Sequence, residues 1–173
     1  MDTEQQQPVT PAEPPGRGGR WHTVQPWLTL AARLGLAGVL GFAAVTKFPP
    51  ALSVQSVEAY QLFSPAVAEL IGYTLPLFEL ALALLLVIGL ATRYAGAVAG
   101  LLMLAFIAGI TSAWARGLTI DCGCFGTGGP VAPGETAYGA DIARDIGFLA
   151  LAAIITVWPR SPFALDRLFG LHR

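Results

Sequence analysis

Two cysteines stand two residues apart in Asp121-Cys122-Gly123-Cys124-Phe125-Gly126, and they are the only cysteines in the chain. Bridging them would close a very small ring, which Gly123 relaxes the backbone enough to permit. Disulfides require a narrow range of Cα separation and torsion, and departures make them easier to reduce. Such bonds suit exchange better than stapling. A ring this short also removes little entropy from the unfolded chain. Three readings of the pair follow from its chemistry: thiol–disulfide exchange, a local structural bridge, or metal ligation. The last is incomplete within one chain. Two thiolates and Asp121 fall short of the four ligands of structural zinc, and His22 and His172 lie in the terminal tails.

The elements that must position this pair follow from composition. Hydrophobic residues make up 54% of the 173 and charged residues 12%. An ordinary globular chain has about 25% charged residues, so this one cannot cover its apolar groups in water and takes the bilayer as its solvent. The net charge of -1 gives no field that would attract nucleic acid. Four apolar stretches, about 27–46, 66–90, 95–115 and 142–158, approach the roughly 20 residues that cross a bilayer as helix. They are continuous rather than alternating, which excludes barrel strands. The expected fold is all-α, a membrane four-helix bundle. Residues 1–26 read as a disordered N-terminal tail without a signal peptide, and residues 159–173 as a C-terminal tail.

Charge distribution orients the bundle. Arg17, Arg20, Arg93, Arg160, Arg167 and Arg173 fall on one side, with Arg33 near it, and Lys47, Arg116 and Arg144 on the other. The positive-inside rule then makes both termini cytoplasmic and the Cys-Gly-Cys loop extracytoplasmic, where thiol pairs tend to oxidise. The first connection, residues 47–65, has apolar Val54, Val57, Leu62 and Phe63 among polar neighbours and is expected to contain a short interfacial helix.

Charged residues within and beside the spans are the remaining candidates. Glu79 is expected roughly 16 Å deep at 1.5 Å per residue, where a carboxylate is costly and marks function by default. Arg33 is its expected partner, the alternatives being a neutral Glu79 with Arg33 reaching the headgroups, or a proton or quinone role. Pro76 should kink the same helix. Lys47, Glu69, Asp121, Arg144 and Asp145 gather at the outer boundary. There Lys47 or Arg144 would favour a thiolate and Asp121 would oppose one, unless these charges only anchor the helices at the interface. Gly96 and Gly100, and Ala31 and Gly35, have the spacing of close helix contacts.

The chain resembles bacterial DoxX-like membrane proteins, and among them the MauE (methylamine utilisation) group. The resemblance rests on the Gly-rich run into Lys47 and on Ala59-Tyr60-Gln61-Leu62-Phe63-Ser64-Pro65. It continues through Pro76 and Glu79, then Gly89-Leu90-Ala91-Thr92-Arg93. Arg116-Gly117-Leu118 ahead of Cys122-Gly123-Cys124-Phe125-Gly126 is its most specific part, and Arg144-Asp145 stands where the group often has Arg-Asn. The resemblance implies a four-helix protein of the bacterial inner membrane that supports disulfide formation or maturation of extracytoplasmic proteins. A thioredoxin-like protein or a secreted redox client would be its partner. A membrane quinone as electron carrier enters by analogy with other four-helix thiol oxidoreductases. Two other classes remain open, a non-enzymatic scaffold of a redox complex and a small transporter or metal-handling protein using Glu79.

Overall fold

A computed structural model describes residues 18–48, 50–125 and 128–166. The expected disorder of residues 1–17, and the C-terminal residues 167–173 with His172, lie outside the described residues. Five helices and one short strand pair follow in order: α1 (Gly18–Thr46), α2 (Pro50–Ala59), α3 (Pro65–Ile88), α4 (Thr92–Ala115), β1 (Ile120–Asp121), β2 (Gly129–Pro130) and α5 (Tyr138–Val157). The strands pair antiparallel, Ile120 opposite Pro130 and Asp121 opposite Gly129. Three stretches, Thr23–Thr46, Pro65–Ile88 and Thr92–Ala115, are each long and apolar enough to cross a membrane. The chain is a multi-pass membrane protein. Leu70, Leu77, Leu84, Leu101 and Val157 are all more than half exposed, as lipid-facing side chains would be.

α1 begins at Gly18, inside the stretch expected to be a tail. Only the part that enters hydrocarbon must be apolar, so a helix continues through polar residues such as Thr23 and Gln25 without a hydropathy signal. The other boundaries are set by local chemistry. α3 opens with Ser64 as N-cap and Pro65 at its first position, where a missing N–H costs nothing. It ends on Gly89, left-handed at φ 68°, whose N–H returns to the Leu85 carbonyl. The helix in the first connection is α2, which ends at Ala59, short of Leu62 and Phe63, and packs along α3.

The long helices pack in two pairs, α1 with α3 and α4 with α5, and the pairs meet mainly where α1 lies against α5. Small residues make these approaches close. A methyl at Gly96 would lie 2.8 Å from Ile155, and one at Gly100 3.5 Å from Ala152, so this spaced pair is the face that receives α5. Gly72 does the same for α2, since a methyl there would lie 2.6 Å from the Val54 Cα. Pro76 cannot donate to the Gly72 carbonyl four residues earlier, which loosens α3 where α2 crosses it.

Arg33 does not meet Glu79. Its guanidinium donates to Ser161 Oγ at 2.6 Å and to the Phe163 carbonyl at 3.5 Å, at the end of the bundle opposite the cysteines. The segment Ser161–Asp166 folds back onto the α3–α4 turn rather than trailing away. The Asp166 carboxylate accepts from the Ala91 N–H at 2.6 Å and the Thr92 N–H at 2.8 Å, satisfying the first donors of α4. Arg33 thus holds a terminal segment with abundant backbone acceptors, and the deep carboxylate takes another cation.

Candidate functional site

The Cys-Gly-Cys turn sits at the end of the bundle formed by the close of α1, by α2, and by the starts of α3 and α5. Gly123 makes the turn possible twice over. Its φ is 66°, a left-handed conformation that side chains resist, and an added methyl would lie 2.7 Å from both Cβ and Oγ of Ser56 on α2. Ser56 is buried, with its hydroxyl turned back to the Leu52 carbonyl at 2.8 Å. Two tyrosines fix the flanks. Tyr60 Oη donates to the Cys122 carbonyl at 2.9 Å, while the Tyr60 carbonyl accepts from Arg116 at 2.6 Å. Tyr138 Oη accepts from the Ile120 N–H at 3.1 Å and donates to the Leu118 carbonyl at 2.6 Å. Burial above all keeps the Tyr60 phenol protonated, with its ionisation pushed far above the ordinary value, so it remains a donor.

Gly123→Ala should therefore lift the turn from α2. The left-handed strain alone is about 1–2 kcal/mol, and the collision with Ser56 adds to it. Alkylation of Cys122 and Cys124 by a small maleimide should be several-fold faster in the variant, and an unchanged rate would contradict this packing.

Cys122 and Cys124 are free thiols, each 8% exposed. Their environments are unequal. Cys124 gives hydrogen bonds toward Cys122, its N–H lying 3.4 Å from the Cys122 sulfur. Donation from the Cys124 side chain above all holds the Cys122 thiol below its usual value; burial opposes it, and the Cys124 N–H and Arg144 add to the lowering. Cys124, as the donor, is pushed far above the usual thiol value, and burial raises it further. The turn thus contains one thiol disposed to ionise and one disposed to keep its proton.

Arg144 is the organising cation. Its guanidinium lies 3.6 Å from the Cys122 sulfur, 2.8 Å from Asp141 Oδ1 and 3.1 Å from Asp145 Oδ1. It also stacks over Phe125 at 4.8 Å, and Phe125 in turn packs against Phe42 at 5.7 Å. Of the two expected cations, Arg144 reaches the thiol. Lys47 turns into the bundle and pairs with Glu79 Oε1 at 2.5 Å, with the Phe106 ring 5.5 Å away. The pair is almost fully buried, at 3% and 0% exposure. Asp121 is held in the strand pair opposite Gly129, and a carboxylate opposing Cys122 ionisation is Asp141. Glu69 is exposed and borders a separate cleft between α2 and α3 with Glu58 and Tyr73.

Asp121, Cys122 and Asp141 bring ligand atoms within 4.8 Å of one another. Arg144 already donates to two of these three, so the positive charge that a cation would supply there comes from the guanidinium. Sequence reasoning missed Ser56, Tyr60, Tyr138 and Asp141. Asp141 had a usable signal, standing three residues before Arg144 on one helical face. The tyrosines and Ser56 act through backbone atoms distant in sequence, which no spacing reveals.

Neither the curated proteins nor the solved structures contain a match to this chain. The family model described as methylamine utilisation protein MauE matches residues 25–158, which spans α1 from its apolar part through α5 and includes the whole Cys-Gly-Cys turn, and the chain belongs to the MauE family.

Proposed function

We propose that this protein is a membrane thiol–disulfide exchange protein in which Cys122 attacks and Cys124 resolves. The observation that carries the reading is the inequality of the two thiols. Cys122 has the Arg144 guanidinium 3.6 Å from its sulfur and Cys124 as a donor, the surroundings of a thiolate nucleophile. Cys124 stays protonated until Cys122 has reacted. The exchange is balanced without a cofactor. The Cys122 thiolate attacks a partner disulfide and expels one partner thiolate. Cys124 then attacks the mixed disulfide and expels the second, so two electrons move from the turn to the partner. Run in reverse, the same steps oxidise a client dithiol.

In this reading α5 is a fourth span, making the four-helix bundle, and its exposed Ile146 and Val157 face lipid. Both termini are cytoplasmic in the bacterial inner membrane and the turn faces the extracytoplasmic side, as the arginine distribution favours. The partner is an extracytoplasmic thioredoxin-like protein or secreted client. A second reading is favoured by the burial of both thiols: the turn is a structural element and the bundle a scaffold for redox partners. Cys124→Ser separates them. In the exchange reading it should accumulate a reducible mixed disulfide with an extracytoplasmic protein, and Cys122→Ser/Cys124→Ser should abolish maturation of the client. Full client maturation in the double variant would establish the scaffold and refute exchange.

A further inference from the structure

α2 and the first turns of α3 leave a cleft of about 450 Å³ between them, within the roughly 300–1,000 Å³ of small-ligand sites. Val54 from α2 and Ala66 from α3 give it apolar wall. Gln55 and Glu58 from α2, with Glu69 and Tyr73 from α3, give it polar groups. No Lys or Arg borders it, and neither Glu58 nor Glu69 forms an ion pair among the described residues. Two unpaired carboxylates beside an aromatic ring and an apolar wall are the combination that receives an ammonium group. The cleft also lies where lipid is the neighbour. α3 is long and apolar enough to cross a membrane and begins at Pro65, so its first turns stand at the level of the headgroups. From there Leu70, Tyr73, Leu77 and Leu84 continue along one face of α3 at helical spacing, each at least 50% exposed. That line of side chains leads from the cleft into the hydrocarbon and can carry an acyl chain.

We propose that this cleft binds the headgroup of phosphatidylethanolamine, with an acyl chain laid along Leu70, Leu77 and Leu84. A primary ammonium carries three N–H donors and no acceptor, which suits two carboxylates without partners. Its bonds to them are charge-assisted. A quaternary ammonium keeps the charge and loses the donors, so phosphatidylcholine matches the cleft less well. Phosphatidylglycerol brings no cation, and its net negative charge is repelled by Glu58 and Glu69. The phosphate has a place at the same mouth. Ser64 gives α3 no side-chain cap and Pro65 has no N–H, so the Ala66 and Val67 N–H groups at the start of the helix are the donors it would meet. A lysine from a protein partner offers the same ammonium without the apolar tail, and it would leave the leucine line on α3 outside the contact.

Native mass spectrometry of the full-length protein, released from detergent micelles with the dioleoyl forms of all three lipids added in equal amounts, tests the assignment. Wild type should retain phosphatidylethanolamine about tenfold more tightly than phosphatidylcholine, with phosphatidylglycerol the weakest. Glu58→Gln/Glu69→Gln should bring phosphatidylethanolamine down to the level of phosphatidylcholine, leave phosphatidylcholine unchanged and let phosphatidylglycerol gain. Both glutamates are exposed, so the variant should keep its fold, and an unchanged melting temperature in detergent checks this. Tyr73→Leu retains the apolar surface and removes the ring, and it should weaken phosphatidylethanolamine alone by several-fold. Equal retention of the three lipids by wild type would overturn the proposal, as would a preference for phosphatidylethanolamine that survives the double Gln variant. Retention of a lysine-rich peptide in place of any lipid preference, lost in the same variant, would also overturn it and give the cleft to a protein partner.

Discussion

Lys47→Ala is expected to destabilise the bundle by about 3–5 kcal/mol, the scale on which removing one partner of a buried ion pair acts. Lys47 and Glu79 are 3% and 0% exposed and share a contact of 2.5 Å. Nothing else among the described residues binds the Glu79 carboxylate. Without Lys47 a carboxylate would remain inside an apolar bundle, with hydrocarbon rather than water beyond the helices, so it must either stay charged and unpaired or take up a proton. Lys47→Met/Glu79→Leu should recover much of the loss, because replacing both charges with packed apolar groups removes the desolvation cost altogether. Unfolding in mixed micelles titrated with a denaturing detergent would measure both. A loss below about 1 kcal/mol for Lys47→Ala would be surface behaviour and would mean that the pair is hydrated or open to headgroups.

The pairing also shows what was legible in the sequence. Long apolar runs made three of the expected spans and their rough extent legible, because hydrocarbon leaves a backbone no alternative. Gly96 and Gly100 were readable as a contact face, and α2 as an amphipathic segment in the first connection. That Glu79 required a cation was also legible, but which cation was not. Arg33 lies on α1 within the apolar run, and counting turns brought it toward Glu79. Lys47, just beyond the end of α1 at Thr46, reads as an interfacial anchor until its long stem is seen to fold inward. Arg33 is drawn the other way by Ser161 and Phe163, in a segment whose composition reads as tail. One-dimensional depth cannot tell which of two long side chains turns toward the core. That depends on competing acceptors brought close by the packing of other helices.

The motif divides in the same manner. The cysteines, Gly123 and Arg144 carry their chemistry in their residue types, and spacing sufficed to select them. Their platform did not announce itself. Ser56 matters because it is small and lies under Gly123, and Tyr60 matters because its hydroxyl reaches the Cys122 carbonyl 62 residues away. Both contacts depend on α2 lying across α3 at Gly72, a placement set by the absence of a side chain rather than by the presence of one.

Arg144→Gln is expected to move the ionisation of Cys122 upward and to slow its alkylation near neutral pH several-fold. The sign follows from the geometry. The guanidinium lies 3.6 Å from the sulfur and favours the thiolate, so its loss raises the pH at which the thiolate forms. Asp141 and Asp145, now without their shared cation, add negative potential and push in the same direction. Arg144→Lys should restore only part of the effect. An ammonium is one point of charge, whereas the guanidinium serves Asp141, Asp145 and Cys122 together and lies flat on Phe125. Cys124→Ala should shift Cys122 further than Arg144→Gln, since donation from Cys124 is the largest influence lowering it. A full pH–rate profile distinguishes this from a turn that has simply come loose. Loss of charge support moves the midpoint and leaves the alkaline plateau in place, because the thiolate is then fully formed in every variant. Loosening raises the plateau itself, as it should in Gly123→Ala. An Arg144→Gln profile that superimposes on wild type would show that the guanidinium organises the carboxylates alone, and the inequality of the two thiols would then rest on Cys124.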